Sequence, residues 1–411
     1  MKAVKSFTVF LVVLYVAVLL LPSSVSAGIS AKERFRLIGA QVESDNLTGS
    51  ALYSKLCETE GNIVISPYSI GMAMTMATAG ASGGTRDEMA KVMHQSLPEG
   101  EMDKAAGLLH HTINNISAKE VVLETANGLC LTLHGTIVSP DYKKLIKDTY
   151  YAELFTADNV GPINSWVDRK THGKIKKILE SFSPNSVCVL LNAVYFKGDW
   201  AAKFDKKQTY DDYFHTEDGG KIKVKMMKQS SDFQLLKEKD YQVLSMPFNG
   251  KKIRFLALLP NKGVKLSELE KKLTGKEIVD IVRKVKCSRP GKVLAMIPRF
   301  KVSYKASLID SFKSLGMQKP FSFKESDFGR LLGKKDAVGV VRISQIQHKA
   351  YLEINEEGGK AAAATAVGIE LKCAMPSPSR PSVFKADRPF LFFITDIITN
   401  SILFMGRYSQ P

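Results

Sequence analysis

Residues 356–373 read Glu356-Glu-Gly-Gly-Lys-Ala-Ala-Ala-Ala-Thr-Ala-Val-Gly-Ile-Glu-Leu-Lys-Cys373. Four consecutive alanines favour a helix. Two glycines open the run, however, Val367 and Ile369 favour a strand, and a proline-rich segment follows. The composition is therefore compatible with an Ala-rich surface helix or flexible linker, and equally with a loop that can become a strand.

The same stretch has one small or apolar side when it is read with a period of two residues. The odd-numbered positions from 359 to 369 hold only Gly, Ala, Thr, Val and Ile. The charged residues Lys360 and Glu370 fall on even-numbered positions. Because side chains alternate between the two faces of a strand, one face would be buried and the other solvated. This pattern favours a mobile loop that can insert into a sheet as a central strand.

The length and composition of the chain predict one large domain behind a secretory signal. The chain has 411 residues, 45% of them hydrophobic, and no Pro/Gly/Ser linker or charge run divides it. Lys2 and Lys5 precede an apolar run over residues 9–21, and a group of mostly small residues follows the run and ends at Ala27. This run is shorter than the roughly 20 residues that a membrane anchor needs. We therefore expect a signal peptide at 1–27, a single domain at 28–411 and a secreted protein.

Two further features of the sequence, its glycosylation sequons and its cysteines, are relevant to a protein of the secretory pathway. Asn46-Leu-Thr and Asn115-Ile-Ser are N-glycosylation sequons. The chain has five scattered cysteines, too few for a disulfide framework, and their odd number leaves at least one thiol unpaired. Cys373 lies in a polar context and is the cysteine expected to be exposed. Both asparagines are therefore candidate glycosylation sites, and no extensive disulfide pairing is expected.

The charge of the chain is strongly basic. It carries a net charge of +17, of which Lys2 and Lys5 contribute two, so residues 28–411 carry +15. For an exported protein this excess favours heparin or another glycosaminoglycan over nucleic acid as a partner. A solvated basic face is the alternative. The candidate polyanion-binding residues are Arg283, Lys284, Lys286, Arg289 and Lys292.

Helical and strand patterns are interleaved without a strict alternation, which predicts a mixed, largely antiparallel α+β fold. A first helix is expected to begin near Asn46, and Ser66-Pro67 is a strong start for a second, almost wholly apolar helix. Further helices are predicted within 163–173, 266–284 and 306–315. Strands are predicted at 121–133, 186–196, 222–227, 242–247, 253–259 and 293–304, with a hairpin at 390–406.

The residues do not form a recognisable enzyme site. Gly80-Ala-Ser82-Gly-Gly84 matches the G-x-S-x-G pattern of hydrolases, but there the serine follows a strand, whereas here it follows a predicted helix. His110 and His111 are adjacent and would point about 100° apart on a helix, so they would not share a metal. We expect no catalytic residue, no metal and no cofactor.

Seven motifs are distributed over nearly the whole chain after residue 27. They are Asn62-Ile-Val-Ile-Ser-Pro-Tyr-Ser-Ile70, Ile163-Asn-Ser-Trp-Val-Asp168, Leu191-Asn-Ala-Val-Tyr-Phe-Lys-Gly-Asp-Trp200, Leu315-Gly-Met317, Asp327-Phe-Gly329, Glu356-Glu-Gly-Gly359 and Phe384-Lys-Ala-Asp-Arg-Pro-Phe390. Together these motifs resemble the serpins. The loop and the basic charge resemble those of secreted arthropod members of that family.

The resemblance implies a fold and a set of site residues. The implied fold has three β-sheets, eight or nine helices and an exposed reactive loop, here at about 356–383. Ser66, Ser69, Asn192 and His348 match the family's shutter cluster, the buried polar residues that are thought to let the main sheet part. The implied hinge consists of Glu356, Glu357, Gly358, Gly359, Lys360, Ala361, Ala362, Ala363 and Ala364.

The resemblance also implies suicide inhibition of a trypsin-like serine protease. Counting seventeen residues from Glu356, the family's spacing, places the cleaved bond between Lys372 and Cys373. Arg380 is a weaker candidate because Pro381 follows it. In the family, the protease is trapped as an acyl-enzyme when the cut loop inserts into the sheet. We expect a monomer with no nucleic-acid or membrane partner.

Two departures from the family pattern leave an alternative open. Gly359 stands where inhibitors more often carry Thr or Ser, and Lys360 stands where Glu is usual. A glycine makes the hinge more flexible and favours cleavage without trapping. The alternative function is therefore that of a non-inhibitory serpin acting as a binding or carrier protein.

Overall fold

The computed structural model describes residues 29–115, 121–132, 138–182, 187–357 and 381–411. Within these ranges it contains ten α-helices, which are α1 (Ala31–Leu56), α2 (Pro67–Gly80), α3 (Gly83–Val92), α4 (Glu99–Asn114), α5 (Pro140–Asp148), α6 (Gly161–Lys170), α7 (Leu266–Lys272), α8 (Gly275–Cys287), α9 (Ile309–Ser314) and α10 (Gly329–Leu332). Among the described residues, no helix is long and apolar enough to cross a bilayer.

The same residues form fourteen strands. They are β1 (Ile63–Ile65), β2 (Val121–Leu131), β3 (Glu153–Thr156), β4 (Cys188–Gly198), β5 (Tyr210–His215), β6 (Lys221–Lys237), β7 (Tyr241–Pro247), β8 (Ile253–Pro260), β9 (Pro290–Pro298), β10 (Phe300–Ser307), β11 (Ile343–Ile354), β12 (Ser382–Lys385), β13 (Phe390–Asp396) and β14 (Ile402–Tyr408). The predicted α+β class is confirmed.

Hydrogen bonds join these strands into two sheets. Five strands form one sheet in the order β10-β11-β4-β2-β3. Nine form the other, in the order β1-β14-β13-β8-β7-β6-β9-β12, with β5 on β6. The seventeen-residue strand β6 pairs with β5 near its start and with β7 at its end. Because β6 runs through both regions, two of the three expected sheets form one continuous network.

Helix α2 lies at the centre of the molecule. All fourteen of its residues are buried, as expected of an almost wholly apolar helix. Ser66 caps the helix, and its Oγ accepts a hydrogen bond from Ser69 N at 3.1 Å. Pro67 occupies the first turn, where its missing N–H costs nothing. The helix predicted from Ser66-Pro67 is therefore confirmed.

The five-stranded sheet separates two hydrophobic clusters. Leu190, Val194 and Phe196 of β4 belong to the large core that contains α2. Val189 and Leu191 of β4 face a smaller cluster that contains Trp166 of α6 and the segment after it. This alternation buries both faces of β4, as the long apolar run predicted.

Three element boundaries differ from the prediction. Helix α1 begins at Ala31 and not near Asn46. The earlier start was missed because polar residues such as Gln41 and Asp45 are buried in this helix and interrupt its apolar stripe. The single helix predicted at 266–284 is two helices that meet at Leu273 and Thr274. The single strand predicted at 293–304 is β9 and β10, since the chain passes at Arg299 from one sheet to the other.

Candidate functional site

The centre of the five-stranded sheet contains one parallel pair between antiparallel neighbours. Strands β4 and β11 run parallel, with Asn192 opposite His348 and Phe196 opposite Leu352. Their outer neighbours, β2 and β10, are antiparallel to them. We call the line between β4 and β11 the seam. A strand that entered the seam by turning back from the end of β11 would be antiparallel to both neighbours, and antiparallel pairing is slightly more stable per residue.

The four shutter residues lie together beneath the seam. Asn192 Nδ2 lies 2.8 Å from Ser69 O and 2.6 Å from Ser69 Oγ. Asn192 Oδ1 lies 2.5 Å from His348 Nδ1, and His348 Nε2 accepts a hydrogen bond from Ser66 N at 3.3 Å. These bonds join both strands of the seam to the start of α2. Parting the seam therefore requires the Asn192–His348 bond to break.

The hydrogen bonds determine the protonation of His348. Because a backbone N–H can only donate, Nε2 is an acceptor, and Nδ1 carries the proton that is donated to Asn192. Burial lowers the pKa of His348 to about 3. The imidazole is consequently neutral at physiological pH, as its two neighbours require.

Asn127 of β2 also belongs to the shutter cluster. Its Oδ1 lies 2.6 Å from Asn192 Nδ2, and β2 pairs with β4 so that Asn127 is opposite Asn192. Asn127 is not among the four shutter residues predicted from the sequence. The sequence did contain an indication of its role. Asn127 is a polar residue that precedes the buried, mostly apolar end of β2.

Backbone hydrogen bonds hold the first two hinge residues against the segment that follows β4. Glu356 O accepts from Phe204 N, and Glu357 O accepts from Trp200 N, each at 3.0 Å. Trp200 Nε1 donates to Asn355 O at 2.8 Å. The chain that leaves β11 is therefore bound to the chain that leaves β4, at the end of the seam where an inserting strand would enter.

Ion pairs reinforce this attachment. Glu356 is 3% exposed, and its carboxylate accepts a hydrogen bond from Thr209 Oγ1 at 2.9 Å and lies 3.5 Å from Arg299 Nη1. Glu357 Oε1 lies 2.5 Å from Lys206 Nζ. The two carboxylates and two cations line a cavity of about 410 Å³. Because a carboxylate neutralises each of these cations, the cavity does not offer a free positive charge to a bound anion.

Several predicted site residues lie outside the described residues. They are the proposed cleaved bond, Lys372-Cys373, the hinge residues Gly358, Gly359, Lys360, Ala361, Ala362, Ala363 and Ala364, and the predicted signal peptide at 1–27. Their roles stay predictions.

The two sequons have different environments. Asn46 lies within α1 and is 2% exposed. Its Nδ2 donates to Asn400 O at 3.0 Å, and its Oδ1 accepts from Ile402 N at 2.9 Å. A glycan on this nitrogen would replace a buried hydrogen bond and has no room, so the structure contradicts the prediction for Asn46. Asn115 is exposed at the end of α4 and remains a candidate.

The five candidate polyanion-binding residues lie at the end of α8 and the start of β9, but acidic partners accompany most of them. Arg283 lies 3.9 Å from Asp280, Lys284 lies 4.0 Å from Glu238, and Lys292 lies 3.9 Å from Asp232. These residues and Arg289 are exposed.

Lys286 does not fit the predicted polyanion site. Its Nζ donates to Ile397 O at 2.6 Å, and the side chain is half-buried. Burial and the neighbouring Arg254 lower the pKa of Lys286. Because this ammonium group is directed at a backbone carbonyl, we remove Lys286 from the candidate set.

The serine-hydrolase alternative is not supported by the surroundings of Ser82. The residue lies between helices α2 and α3, and its Oγ accepts a hydrogen bond from Arg330 N at 3.2 Å. Nothing here resembles a strand-to-helix turn that would expose a nucleophile. Among the described residues, no group of three or more His, Cys, Asp or Glu side chains is arranged to hold a metal.

The chain is similar in sequence to serpins from distant organisms. An uncharacterized serpin-like protein of Thermococcus kodakarensis is 33% identical, over 88% of this chain and 83% of that protein. The leukocyte elastase inhibitor of Xenopus tropicalis is also 33% identical, over 88% of this chain and 96% of that protein. These relatives come from an archaeon and an amphibian and do not indicate an arthropod source.

Solved serpin structures share the fold. Tengpin, a thermophilic serpin in its native state, aligns with a TM-score of 0.80 and 28% identity, over 90% of this chain and 94% of that one. The structure of human thyroxine-binding globulin in its ligand complex aligns with a TM-score of 0.79 and 27% identity, over 91% of this chain and 99% of that one. Native protease nexin-1 with heparin aligns with a TM-score of 0.78 and 25% identity, over 91% of this chain and 99% of that one.

The family model described as "Serpin (serine protease inhibitor)" matches residues 43–411. The match covers every element described above from the middle of α1 onward, including both strands of the seam and the shutter cluster. This chain therefore belongs to the serpin family.

Proposed function

We propose that the protein is a secreted suicide inhibitor of trypsin-like serine proteases that is cleaved between Lys372 and Cys373. The observation that carries the proposal is the parallel seam between β4 and β11. The segment 358–380 follows β11 in the chain after residues 355–357, and if its first residues turned back they would enter the seam as an antiparallel strand. The small side chains at odd positions from 359 to 369 suit a strand that must pass between two others.

The chemistry begins at Lys372. Its ammonium group suits the specificity pocket of trypsin-like enzymes, which contains a buried carboxylate. The protease serine attacks the carbonyl carbon of Lys372, the bond to the nitrogen of Cys373 breaks, and the leaving amine takes up a proton. Lys372 remains joined to the serine by an ester. The cut frees the segment before Lys372 from β12, and insertion then carries the bound protease along the sheet.

The free energy of insertion is large enough to distort the protease. Residues 358–372 would span about 50 Å as a strand, at ~3.3 Å per residue. Their backbone groups would bond to both β4 and β11, at a net gain of ~1 kcal/mol per bond. Insertion would thus release on the order of ten kcal/mol, which makes the uncut form kinetically trapped.

A test with trypsin distinguishes trapping from simple cleavage. We expect an SDS-resistant band with the summed mass of protein and protease. Lys372→Ala should abolish this band because the specificity pocket loses its ligand. Arg380→Ala is the matched control and should leave the band unchanged. Trapping that persists in Lys372→Ala would show that the cleaved bond is elsewhere, and a nicked chain alone would exclude inhibition.

A non-inhibitory carrier is the second candidate function. The alignment with human thyroxine-binding globulin over 91% of this chain favours it, as does the glycine at position 359. In that case the loop would be cut by trypsin, and insertion would be too slow to trap the enzyme. The SDS experiment separates the two candidates, since a carrier would yield only the nicked chain.

We propose secretion from the leader-like sequence at 1–27, and glycosylation at Asn115 alone. Expression in a eukaryotic secretory cell should yield a protein in the medium that begins at Gly28. Mass spectrometry of its peptides should find a glycan on Asn115 and an unmodified Asn46. A cell-retained protein that keeps residues 1–27 would contradict the assignment.

We propose that glycosaminoglycans bind near the end of α8, through a smaller set than the sequence indicated: Arg283, Lys284, Arg289 and Lys292. The alignment with protease nexin-1, which was solved with heparin, supports the partner class. Replacing Arg283 and Arg289 with glutamine should lower the salt concentration at which the protein leaves a heparin column. Equal replacement of Lys143 and Lys147 on α5 is the control of matched charge. Equal effects of the two pairs would leave only net charge as the cause.

A further inference from the structure

The segment that follows α6, residues 171–180, connects the two sides of the seam. Ile175 and Leu179 belong to the smaller hydrophobic cluster, to which β4 also contributes. On the other side of the seam, Lys349 of β11 donates a hydrogen bond from its Nζ to Lys177 O at 2.8 Å. We call residues 171–180 the clasp. Because the clasp shares a cluster with β4 and is bonded to β11, the bond to Lys349 has to break before the seam can open fully.

Two weaker contacts also join the clasp to the far side of the seam. The carboxylate of Glu180 lies 3.8 Å from Lys305 Nζ of β10, which is longer than a hydrogen bond. Lys174 Nζ lies 5.6 Å from the centre of the Tyr351 ring on β11, within the range of a cation–π interaction. The polar contacts that hold the clasp to β10 and β11 are therefore mostly long ones.

The lysines at this attachment carry an excess of positive charge. Lys305 and Lys349 are directly opposite each other in the antiparallel register of β10 and β11, and like charges in that position are destabilising. Burial and the neighbouring Lys305 lower the pKa of Lys349. The carboxylate that lies near Lys305, that of Glu180, also pairs with Lys177, at 3.1 Å. Three ammonium groups and one carboxylate leave this cluster a net charge of +2.

We propose that Lys177, Lys305 and Lys349 form a binding site for a sulfate or phosphate group, and that the bound group fastens the clasp and slows the entry of a strand into the seam. A tetrahedral oxyanion can accept a charge-assisted hydrogen bond from each of the three ammonium groups. It also offsets the repulsion between Lys305 and Lys349. Glu180 is exposed, so its side chain can turn toward solvent and give way to the ligand. The anion site stands on these contacts alone, whereas its effect on insertion rests on the proposed function.

The bound group can be a free ion or part of a sulfated polysaccharide. Lys174 and Lys176 are exposed on the clasp and extend its positive surface beyond the site. A chain with repeated sulfate groups contacts these lysines as well, so it binds more tightly than a single ion does. The probes are therefore sodium sulfate, sodium phosphate and a heparin hexasaccharide, each at an ionic strength matched with sodium chloride.

Binding is measured on the full chain, by calorimetry for the hexasaccharide and by equilibrium dialysis for the two radiolabelled ions. Every protein in the series carries Arg283→Gln and Arg289→Gln, which weaken the site proposed at the end of α8. We call this double variant the reference protein. A hexasaccharide that binds it more than about tenfold more tightly than free sulfate identifies a polysaccharide as the source, and comparable affinities identify the free ion. Binding of none of the three probes would overturn the site.

The site variant combines Lys177→Gln with Lys305→Gln, and it keeps Lys349 because that ammonium group also holds a carbonyl of the clasp. We expect the site variant to bind about tenfold more weakly than the reference protein, which corresponds to the loss of one charged hydrogen bond. The control variant combines Lys143→Gln with Lys147→Gln, at exposed positions of α5, and should match the reference protein. Equal affinities of the site and control variants would exclude these lysines as the binding site.

Glu180→Gln tests the site in the opposite direction. We expect this replacement to raise the affinity severalfold, because it removes a competing carboxylate and leaves all three lysines in place. Glu153→Gln is the matched control, since Glu153 also pairs with a lysine, Lys170, at 3.1 Å, and it should not change the affinity. An affinity that Glu180→Gln lowers or leaves unchanged would show that no anion takes the place of its carboxylate, and the site would be wrong.

A synthetic peptide of residues 358–371 measures the effect on the seam, as a mobility shift on a native gel. The peptide contains one lysine and one glutamate, so its side chains have no net charge and the anions act on the protein. Bound anion should slow insertion about tenfold in the reference protein and leave the rate of the site variant unchanged. Equal rates with and without bound anion in the reference protein would show that the clasp does not control the seam. If trypsin only nicks the parent protein, the proposed function fails, while the measured affinities still decide whether the anion site exists.

Discussion

Asn192 joins three neighbours at the middle of the seam, namely His348, Ser69 and Asn127. Asn192→Ala leaves the His348 N–H and the Asn127 oxygen buried without this partner. We expect a loss of about 3 kcal/mol in the free energy of unfolding, since each unpaired buried group costs roughly 1–3 kcal/mol. The first unfolding transition in a urea titration measures this loss of stability.

Asn159→Ala provides the control for this experiment, because Asn159 is exposed and hydrogen-bonds only within its own loop. Asn192→Ala should therefore unfold at a clearly lower urea concentration than Asn159→Ala. If Asn192→Ala unfolds at the same urea concentration as the parent protein, the shutter hydrogen bonds do not stabilise the uninserted sheet.

His348 makes stability depend on pH. Burial lowers its pKa from 6.5 to about 3. Between these values the unfolded chain binds a proton that the folded chain does not, so His348 lowers stability as pH falls from about 6.5 toward 3, by up to about 1.4 kcal/mol per pH unit. His348→Gln keeps a donor and an acceptor without this titration. The free energy of unfolding of His348→Gln should therefore fall less between pH 6.5 and pH 4 than that of the parent protein.

The buried His110 also has a pKa lowered by burial, to about 4, and it contributes a slope of the same sign in both proteins. His110 therefore cancels in the comparison, as do the buried carboxyl groups. Parallel stability curves for the parent protein and His348→Gln would show that His348 titrates normally in the folded state.

At the scale of elements, the seam is the place where the sheet can accept another strand. A synthetic peptide with the sequence of residues 358–371 should insert between β4 and β11, because both edges gain antiparallel hydrogen bonds. We expect the peptide to raise the thermal midpoint of the protein and to abolish trapping of trypsin, since the seam is then occupied. Calorimetry and the SDS experiment measure the two effects.

A peptide of the same composition in scrambled order is the control, because it lacks the small side chains at alternate positions. It should bind weakly and leave both measurements unchanged. If the ordered peptide has no effect on the thermal midpoint, the seam does not open under native conditions.

At the scale of the whole molecule, the uncut protein is expected to be less stable than the cut one. Cleavage after Lys372 would let residues 358–372 complete the sheet, at a gain on the order of ten kcal/mol from new backbone hydrogen bonds. The thermal transition should therefore move to higher temperature after limited digestion with trypsin. The Lys372→Ala variant, treated in the same way, should keep the transition of the uncut protein. Superimposable scans of the cut and uncut parent protein would contradict insertion.

Local patterns predicted some elements correctly and others poorly, for identifiable reasons. The start of α2 was predictable, since Ser66 and Pro67 act through contacts within one turn. The start of α1 was not, because Gln41 and Asp45 are buried by packing against α2 and not by any local pattern. The division between β9 and β10 at Arg299 depends on which sheet each half joins, which no local propensity specifies.

The amino-acid sequence by itself determined the family, the apolar central helix, the alternation at 359–369 and the four residues of the shutter cluster, because each is a pattern of neighbouring residues or a recognisable motif. Only the tertiary structure decided that Asn46 is bonded to Asn400 and Ile402, that Lys286 is directed at Ile397, and that Asn127 completes the shutter cluster. Burial and hydrogen bonding join residues far apart in the chain, so they exist only once the sheets and helices have packed together.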